Sequence, residues 1–296
     1  MARLLIALVI VLAACGTPFE VELPGQPPRL VVESLFAADS LIALDIGQSA
    51  SVLEPGAPFV ESVRDATVRI YEDGVLAGGA AYDALRNRYL TNVRARAGRT
   101  YRLEVEAPGF APVRAEDTVP RPTPFEIEVV RGPEPETDRS REDAVTLRFA
   151  DPPGDDFYAI YGLSELTFTG SDQRRVGPLS FTSTDPLLTD GDVASFLTDF
   201  DEPFYQRAVF RSLPFDGETA AVLVSVLRYE DASGASRATD RLRLATLSET
   251  YYSYVRALDG SSEGTPFSTP RALPSNVGGG YGIFAAFAAA ERVLPD

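Results

Sequence analysis

The chain has no histidine, no tryptophan and a single cysteine, and no lysine occurs at any position, so every basic residue is arginine. Each absence removes chemistry. Without histidine there is no imidazole general base and no imidazole metal ligand; without lysine there is no Schiff base and no Ser-Lys dyad. Without tryptophan the strongest aromatic stacking platform is gone. One cysteine excludes a disulfide framework. Long apolar runs are missing too: residues 4–12 and 281–290 are both well short of the ~20 residues that a membrane-spanning helix needs. Positive charge is also scarce, with 27 basic against 43 acidic residues and a formal charge of −16. That field repels phosphate backbones and anionic head groups, which excludes nucleic acid as a partner. We read the arginine bias as compositional, without a functional cause.

What is present begins with an address. Met1-Ala2-Arg3 gives a positive start, residues 4–12 an apolar run, and Leu12-Ala13-Ala14-Cys15 a small-residue cleavage site followed by cysteine. This order is the plan of an export signal. Residues 1–14 are expected to be removed and Cys15 to be lipidated, a use for the only thiol in an exported chain. Two or three acyl chains hold stably where one is marginal, because each buried CH₂ adds ~0.8 kcal/mol.

Hydrophobic residues make up 45% of the chain, enough for a folded body, and the remaining length suits one large or two ordinary domains. Residues 15–28 hold Pro18, Pro24, Pro27 and Pro28 and read as a lipidated, extended tether. Residues 29–119 carry period-two alternation. Ile42, Leu44 and Ile46 share one face, Tyr101, Leu103 and Val105 another, and Asp73-Gly74 between short apolar runs signals a tight hairpin. Short strands at this spacing predict a β-sandwich of the immunoglobulin or fibronectin III kind. Residues 120–124, Pro-Arg-Pro-Thr-Pro, form a stiff proline linker. Residues 125–296 predict a second β-rich domain, with strands near 125–130, 144–149, 157–161, 221–229 and 241–244 and a polar loop over 132–143. One amphipathic helix is expected there. Thr246 and Glu249 make a capping box, Leu247, Tyr251, Tyr254, Val255 and Leu258 form an apolar face, and Gly260 stands as the C-terminal cap. Residues 281–290 read as a last core strand or a short buried helix, fed by Gly278-Gly279-Gly280. The fold class is therefore mainly β.

Three motifs can be weighed for chemistry. Gly260-Ser261-Ser262-Glu263-Gly264 matches a nucleophile elbow in letters, but it follows a helix and has no histidine to take the proton, so it reads as a loop. Asp190-Gly191-Asp192, with Asp185, Asp199, Asp201 and Glu202 nearby, could offer oxygen ligands to calcium. It departs from EF-hand spacing and reads as a solvated acidic loop, leaving Asp190 and Asp192 as weak metal candidates. Gly278, Gly279, Gly280 and Gly282 lack the lysine and the βαβ setting of a phosphate loop and read as a turn or bulge. Paired carboxylates for glycoside hydrolysis are possible in kind, although no pair is singled out. No catalytic residue and no cofactor site is assigned.

Several segments together resemble the Bacteroidota lipoprotein family catalogued as domain of unknown function 4249. They are Phe19-Glu20-Val21-Glu22-Leu23-Pro24 running into Leu30-Val31-Val32-Glu33, Ala66-Thr67-Val68 with Asp73-Gly74, and Gly98-Arg99-Thr100-Tyr101 with Ala107-Pro108-Gly109. The second half adds Asp151-Pro152-Pro153-Gly154 before Phe157-Tyr158, the Tyr251-Tyr252-Ser253-Tyr254 helix, and the closing Ser275-Asn276-Val277-Gly278-Gly279-Gly280-Tyr281-Gly282-Ile283-Phe284. The chain departs from the family by lacking tryptophan and lysine. The resemblance implies an outer-membrane lipoprotein, often encoded beside a TonB-dependent transporter, and brings no catalytic residues. The expectation is a non-enzymatic accessory or binding partner of a TonB-dependent outer-membrane barrel, held to the membrane by its N-terminal lipid, on a face the sequence leaves open. The alternatives are a stand-alone ligand- or carbohydrate-binding surface lipoprotein, its small-molecule ligand unidentified, and a carboxylate-based hydrolase.

Overall fold

A computed structural model describes residues 27–50, 60–133, 140–189, 207–229, 236–262 and 273–295. The expected signal segment, Cys15, Asp190 and Asp192 lie outside the described residues. Strands dominate, as the alternation predicts. The first half holds β1 Leu30–Ala37, β2 Leu41–Ser49, β3 Val60–Ser62, β4 Thr67–Glu72, β5 Val75–Asp83, β6 Arg88–Arg94, β7 Thr100–Glu106 and β8 Val113–Thr118. The second holds β9 Phe125–Val130, β10 Ser140–Ala150, β11 Phe157–Phe168, β12 Arg174–Pro178, β13 Phe181–Thr182, a one-turn helix α1 Pro186–Thr189 and β14 Arg207–Arg211. β15 Thr219–Tyr229, β16 Ser236–Leu247, α2 Glu249–Ser262 and β17 Tyr281–Val293 follow. Among the described residues no helix is long and apolar enough to cross a membrane.

In the first half the strands neighbour one another in the order β1-β2-β6-β5-β4-β7-β8. Ile42, Leu44, Tyr101, Leu103 and Val105 are fully buried in one core with Val32 and Phe36, the faces the period-two pattern marks. Asp73 and Gly74 both take positive φ, 47° and 82°, as a two-residue hairpin turn requires. The sheet curls until β8 lies beside the start of β17, where Arg114 and Gly278 exchange backbone hydrogen bonds.

The second half packs the strands β12-β11-β16-β17 against a sheet ordered β13-β15-β10-β9, around a core that includes Leu147, Tyr158, Val224 and Leu244. The opposite face of β11, β16 and β17 is covered by α2 through Tyr251 and Val255. β17 belongs to both halves. Its first part runs parallel to β1, Tyr281 opposite Val31 and Phe287 opposite Ala37, and its last part runs antiparallel to β16, from Phe287 opposite Leu247 to Val293 opposite Arg241. Phe284 and Ala286 enter the first core while Ile283, Ala285 and Phe287 face α2. Apolar cover on both faces explains an unbroken apolar run in a strand, and it resolves the strand-or-helix ambiguity of residues 281–290.

Three local expectations are corrected. The cap of α2 is Ser248, whose Oγ accepts from the Tyr251 N–H at 3.1 Å; Thr246 and Leu247 are still in β16, where Thr246 Oγ1 shares a hydrogen bond with Thr123 at 2.9 Å. Gly260 lies within α2, which runs on to Ser262. The loop expected over 132–143 ends sooner, because β10 starts at Ser140 and extends its inward parity back through Asp143 and Arg141.

Candidate functional site

The family-like closing stretch, residues 275–284, folds into the joint between the halves. Beyond the Arg114–Gly278 bridge, side chains take the place of a backbone ladder between β8 and β17. Asn276 Nδ2 donates to the carbonyls of Glu116 at 3.0 Å and Phe284 at 2.7 Å, and its Oδ1 accepts from the Phe284 N–H at 3.0 Å. Asp117 Oδ2 accepts from the Ala286 N–H at 2.7 Å. Burial raises the Asp117 carboxyl above its ordinary value, and hydrogen bonds from Ser248, Ala286, Thr118 and Thr250 oppose that rise. Ser248 thus caps α2 and serves Asp117 together, so one carboxylate ties β8, β17 and the start of α2.

Beside this joint a groove of about 250 Å³ is lined by Glu249, Thr250, Ser253, Ser275, Asn276 and Ile283. Glu249 and Ser253 bring polar side chains to it, whereas Asn276 is committed to Glu116 and Phe284 and Thr250 to Asp117. A second groove of about 170 Å³ lies over the start of β1 and the end of β2, lined by Glu33, Asp45, Ser62 and Asn87 among others. Glu33 and Asp45 are register partners across the two strands, and Arg88 Nη2 meets Asp45 Oδ2 at 3.2 Å. Burial, then the Asp45 charge, raises the Glu33 carboxyl. Burial and Glu33 in turn push the Tyr254 hydroxyl up to about 12.

The most heavily buried charges stand elsewhere. Arg141 Nε meets Asp143 Oδ1 at 2.7 Å, Arg228 Nη1 lies 3.5 Å from Asp143 Oδ2, and Arg228 Nε reaches Asp240 Oδ2 at 2.9 Å. Ser164 Oγ donates to Asp240 at 2.6 Å, and Arg228 Nη1 donates to the Pro295 carbonyl at 2.6 Å. Two cations and two anions balance, as buried ions must. Burial works to raise the Asp143 carboxyl, but hydrogen bonds from Arg141 and the Gly132 N–H, with the Arg141 and Arg228 charges, hold it below its ordinary value. This network pins β10, β15, β16 and the C-terminal segment together.

Asp151-Pro152-Pro153-Gly154 is likewise structural: Asp151 accepts from Tyr158 Oη at 2.6 Å and from the Gly217 N–H at 3.2 Å, and the Gly154 N–H donates to Asp216 at 2.7 Å. Of the acidic loop, Asp185 is described, and its carboxylate accepts from the Leu187 and Leu223 N–H groups. Among the described residues no group of three or more carboxylates or thiols is placed to hold a metal ion. Gly260, Ser261 and Ser262 form the last residues of α2, with no strand-to-helix turn before them. Sequence reasoning missed Asn276, Asp117 and the Arg–Asp network. For the network one signal existed, since Arg141 and Asp143 keep the parity of Val145, Leu147 and Phe149.

The family described as Domain of unknown function (DUF4249) matches residues 16–292. Among solved structures, the chain is similar to a protein of Corynebacterium diphtheriae described as membrane anchored, at 8% identity and a TM-score of 0.21, over 76% of this chain and 55% of that one. The chain thus spans little more than half of that structure's length, and a likeness of this size has no bearing on function. No curated protein matches.

Proposed function

The chain belongs to the DUF4249 family, and on that premise we propose that it is a lipid-anchored outer-membrane protein that acts without catalysis, as an accessory or binding partner of a TonB-dependent transporter. The anchor rests on the order of residues 1–15 and on Cys15 as the single thiol. The observation that carries a binding role is the use made of the closing stretch: Asn276 spends its side chain on the carbonyls of Glu116 and Phe284 and on the Phe284 N–H. A stretch that resembles the family through such residues builds a stiff two-part body. In this reading the body acts through its exposed surfaces, as a partner of a barrel would.

The test is a pull-down from native membranes through a C-terminal tag, with co-purifying proteins identified by mass spectrometry. Recovery of a TonB-dependent barrel in near-equal amount is the expected result; a clean pull-down without a barrel overturns the partnership. Cys15→Ala should abolish incorporation of labelled palmitate and release the protein from the membrane fraction. A second reading, a stand-alone ligand binder, is favoured by the polar groove of about 250 Å³ beside α2. Binding of a small polar ligand that is lost in Ser253→Trp would move weight to it.

A further inference from the structure

Most strands find a partner close by in sequence. β1 with β2, β4 with β5, β5 with β6, β7 with β8 and β9 with β10 are pairs of consecutive strands, and short loops cost little entropy to close. β17 is the opposite case. The last strand of the chain, it lies parallel to the first, from Tyr281 opposite Val31 to Phe287 opposite Ala37. On its other side the Ala286 N–H donates to Asp117 of β8, 169 residues away in sequence. β17 therefore fills the gap between β8 and β1 through which the first core would otherwise open. Phe284 enters that core, its ring centroid 4.7 Å from that of Phe36. Further along, β17 covers the free side of β16 and places Ile283, Ala285 and Phe287 under α2. Leu294, 2% exposed, reaches the second core, and its N–H donates to the Asp240 carbonyl at 2.9 Å. The Pro295 carbonyl next to it takes the Arg228 guanidinium at 2.6 Å. One terminal stretch thus completes the first core, the layer under α2, the second core and the buried ion network.

We propose that β17 is a latch: until it docks, the first half stays open between β8 and β1 and the second lacks the strand beneath α2, so both halves close in one step once the C-terminus is free. Before that step β1 and β16 each present an unpaired edge, and Leu30, Val32 and Phe36, buried in the closed fold, face an open core. Pairing the first strand with the last closes a loop of nearly the whole described chain. The entropy of that closure is lost before any contact rewards it, which makes the step late and slow. Domains otherwise fold as they are made, N-terminal first; here the N-terminal half waits for the last strand, 13 residues long. The device suits a chain that crosses a membrane before it folds, because an open chain threads where a closed sheet does not. That use rests on the export reading of residues 1–14; the latch itself rests on the pairing of β17.

Two measurements on the complete chain test this. In the first, the chain is translated without membranes and held on the ribosome through a C-terminal linker of stepped length, so that short linkers keep β17 inside the exit tunnel. Brief proteolysis should cut both halves in the short-linker forms and spare both together once the linker lets β17 emerge. In the second, free of the ribosome, the chain refolds from urea under pulses of hydrogen exchange. The amides of β6 and β7 in the first half and of β10 and β15 in the second should gain protection in the same phase as those of β17. Protection of either half while β17 is still in the tunnel, or in a refolding phase earlier than that of β17, overturns the latch. The export reading is tested apart, by whether cells cleave the precursor before Cys15. Joint protection without cleavage leaves the latch standing and removes its use in export; cleavage without joint protection removes the latch and leaves the export reading.

Discussion

At Gly282 the backbone has φ +104° and an added Cβ would run into the Val32 carbonyl across the β1–β17 pairing. Gly109 also has positive φ, +82°, but nothing lies within 4 Å of its would-be Cβ. Gly282→Ala should therefore cost ~3 to 5 kcal/mol through strain and lost pairing, and Gly109→Ala only about 1 to 2 kcal/mol for the left-handed conformation itself. Denaturant midpoints of the two variants check this, and equal losses would show that the close approach to Val32 is unimportant. A second contrast tests the cap. Ser248→Ala should destabilise by about 2 to 3 kcal/mol, since it removes both an N-cap and a hydrogen bond to the Asp117 carboxylate, with reduced helical signal from α2; Thr246→Ala should leave the helical signal intact, since its hydroxyl serves Thr123. The letters Thr-x-x-Glu gave the wrong cap because Leu247 still pairs with Phe157 and Phe287, and strand pairing overrides a local motif.

Among the elements, β10 shows why charge can hide a strand. Its apolar inward residues were legible from Val145 on, whereas Asp143, fully buried, and Arg141, 4% exposed, occupy inward positions as ions. Folding favours the ionised form of Asp143, whose carboxyl is held below its ordinary value of 3.8. The sign follows: this contribution is present above pH 3.8 and is lost as pH falls through the lower folded value. Asp143→Asn should flatten the acid limb of a stability-against-pH curve and lower stability near neutrality, because Arg141 and Arg228 lose an anion. Arg228→Ala, which takes from buried Asp240 its 2.9 Å guanidinium partner and leaves Asp143 with Arg141 alone, should cost ~3 to 5 kcal/mol. Urea melts at pH 3 to 7 would check both, and a parent-like acid limb in Asp143→Asn would remove the network from the account.

For the whole molecule, the proline stretch at 120–124 marks where one half passes to the other, but β17 pairs with β1 on one side and β16 on the other. Heat or urea should therefore unfold the two halves in one transition, since neither sheet keeps its central neighbour without the other; two resolved calorimetric peaks would contradict that. Composition and order alone determined the exclusions of imidazole, amine and disulfide chemistry, the β class, and most strand positions in the first half. These follow from residue type and short-range periodicity, which fix what a side chain can do and which face of a strand is apolar. Only the tertiary structure decided that residues 281–293 join the halves, that Asn276 and Asp117 stand in for a ladder, and that Arg228 meets Asp143 across 85 residues of sequence. Local patterns carry no record of such pairings, because a buried polar group is tolerated only where distant chain supplies its partner, and that partner exists only once the sheets have closed.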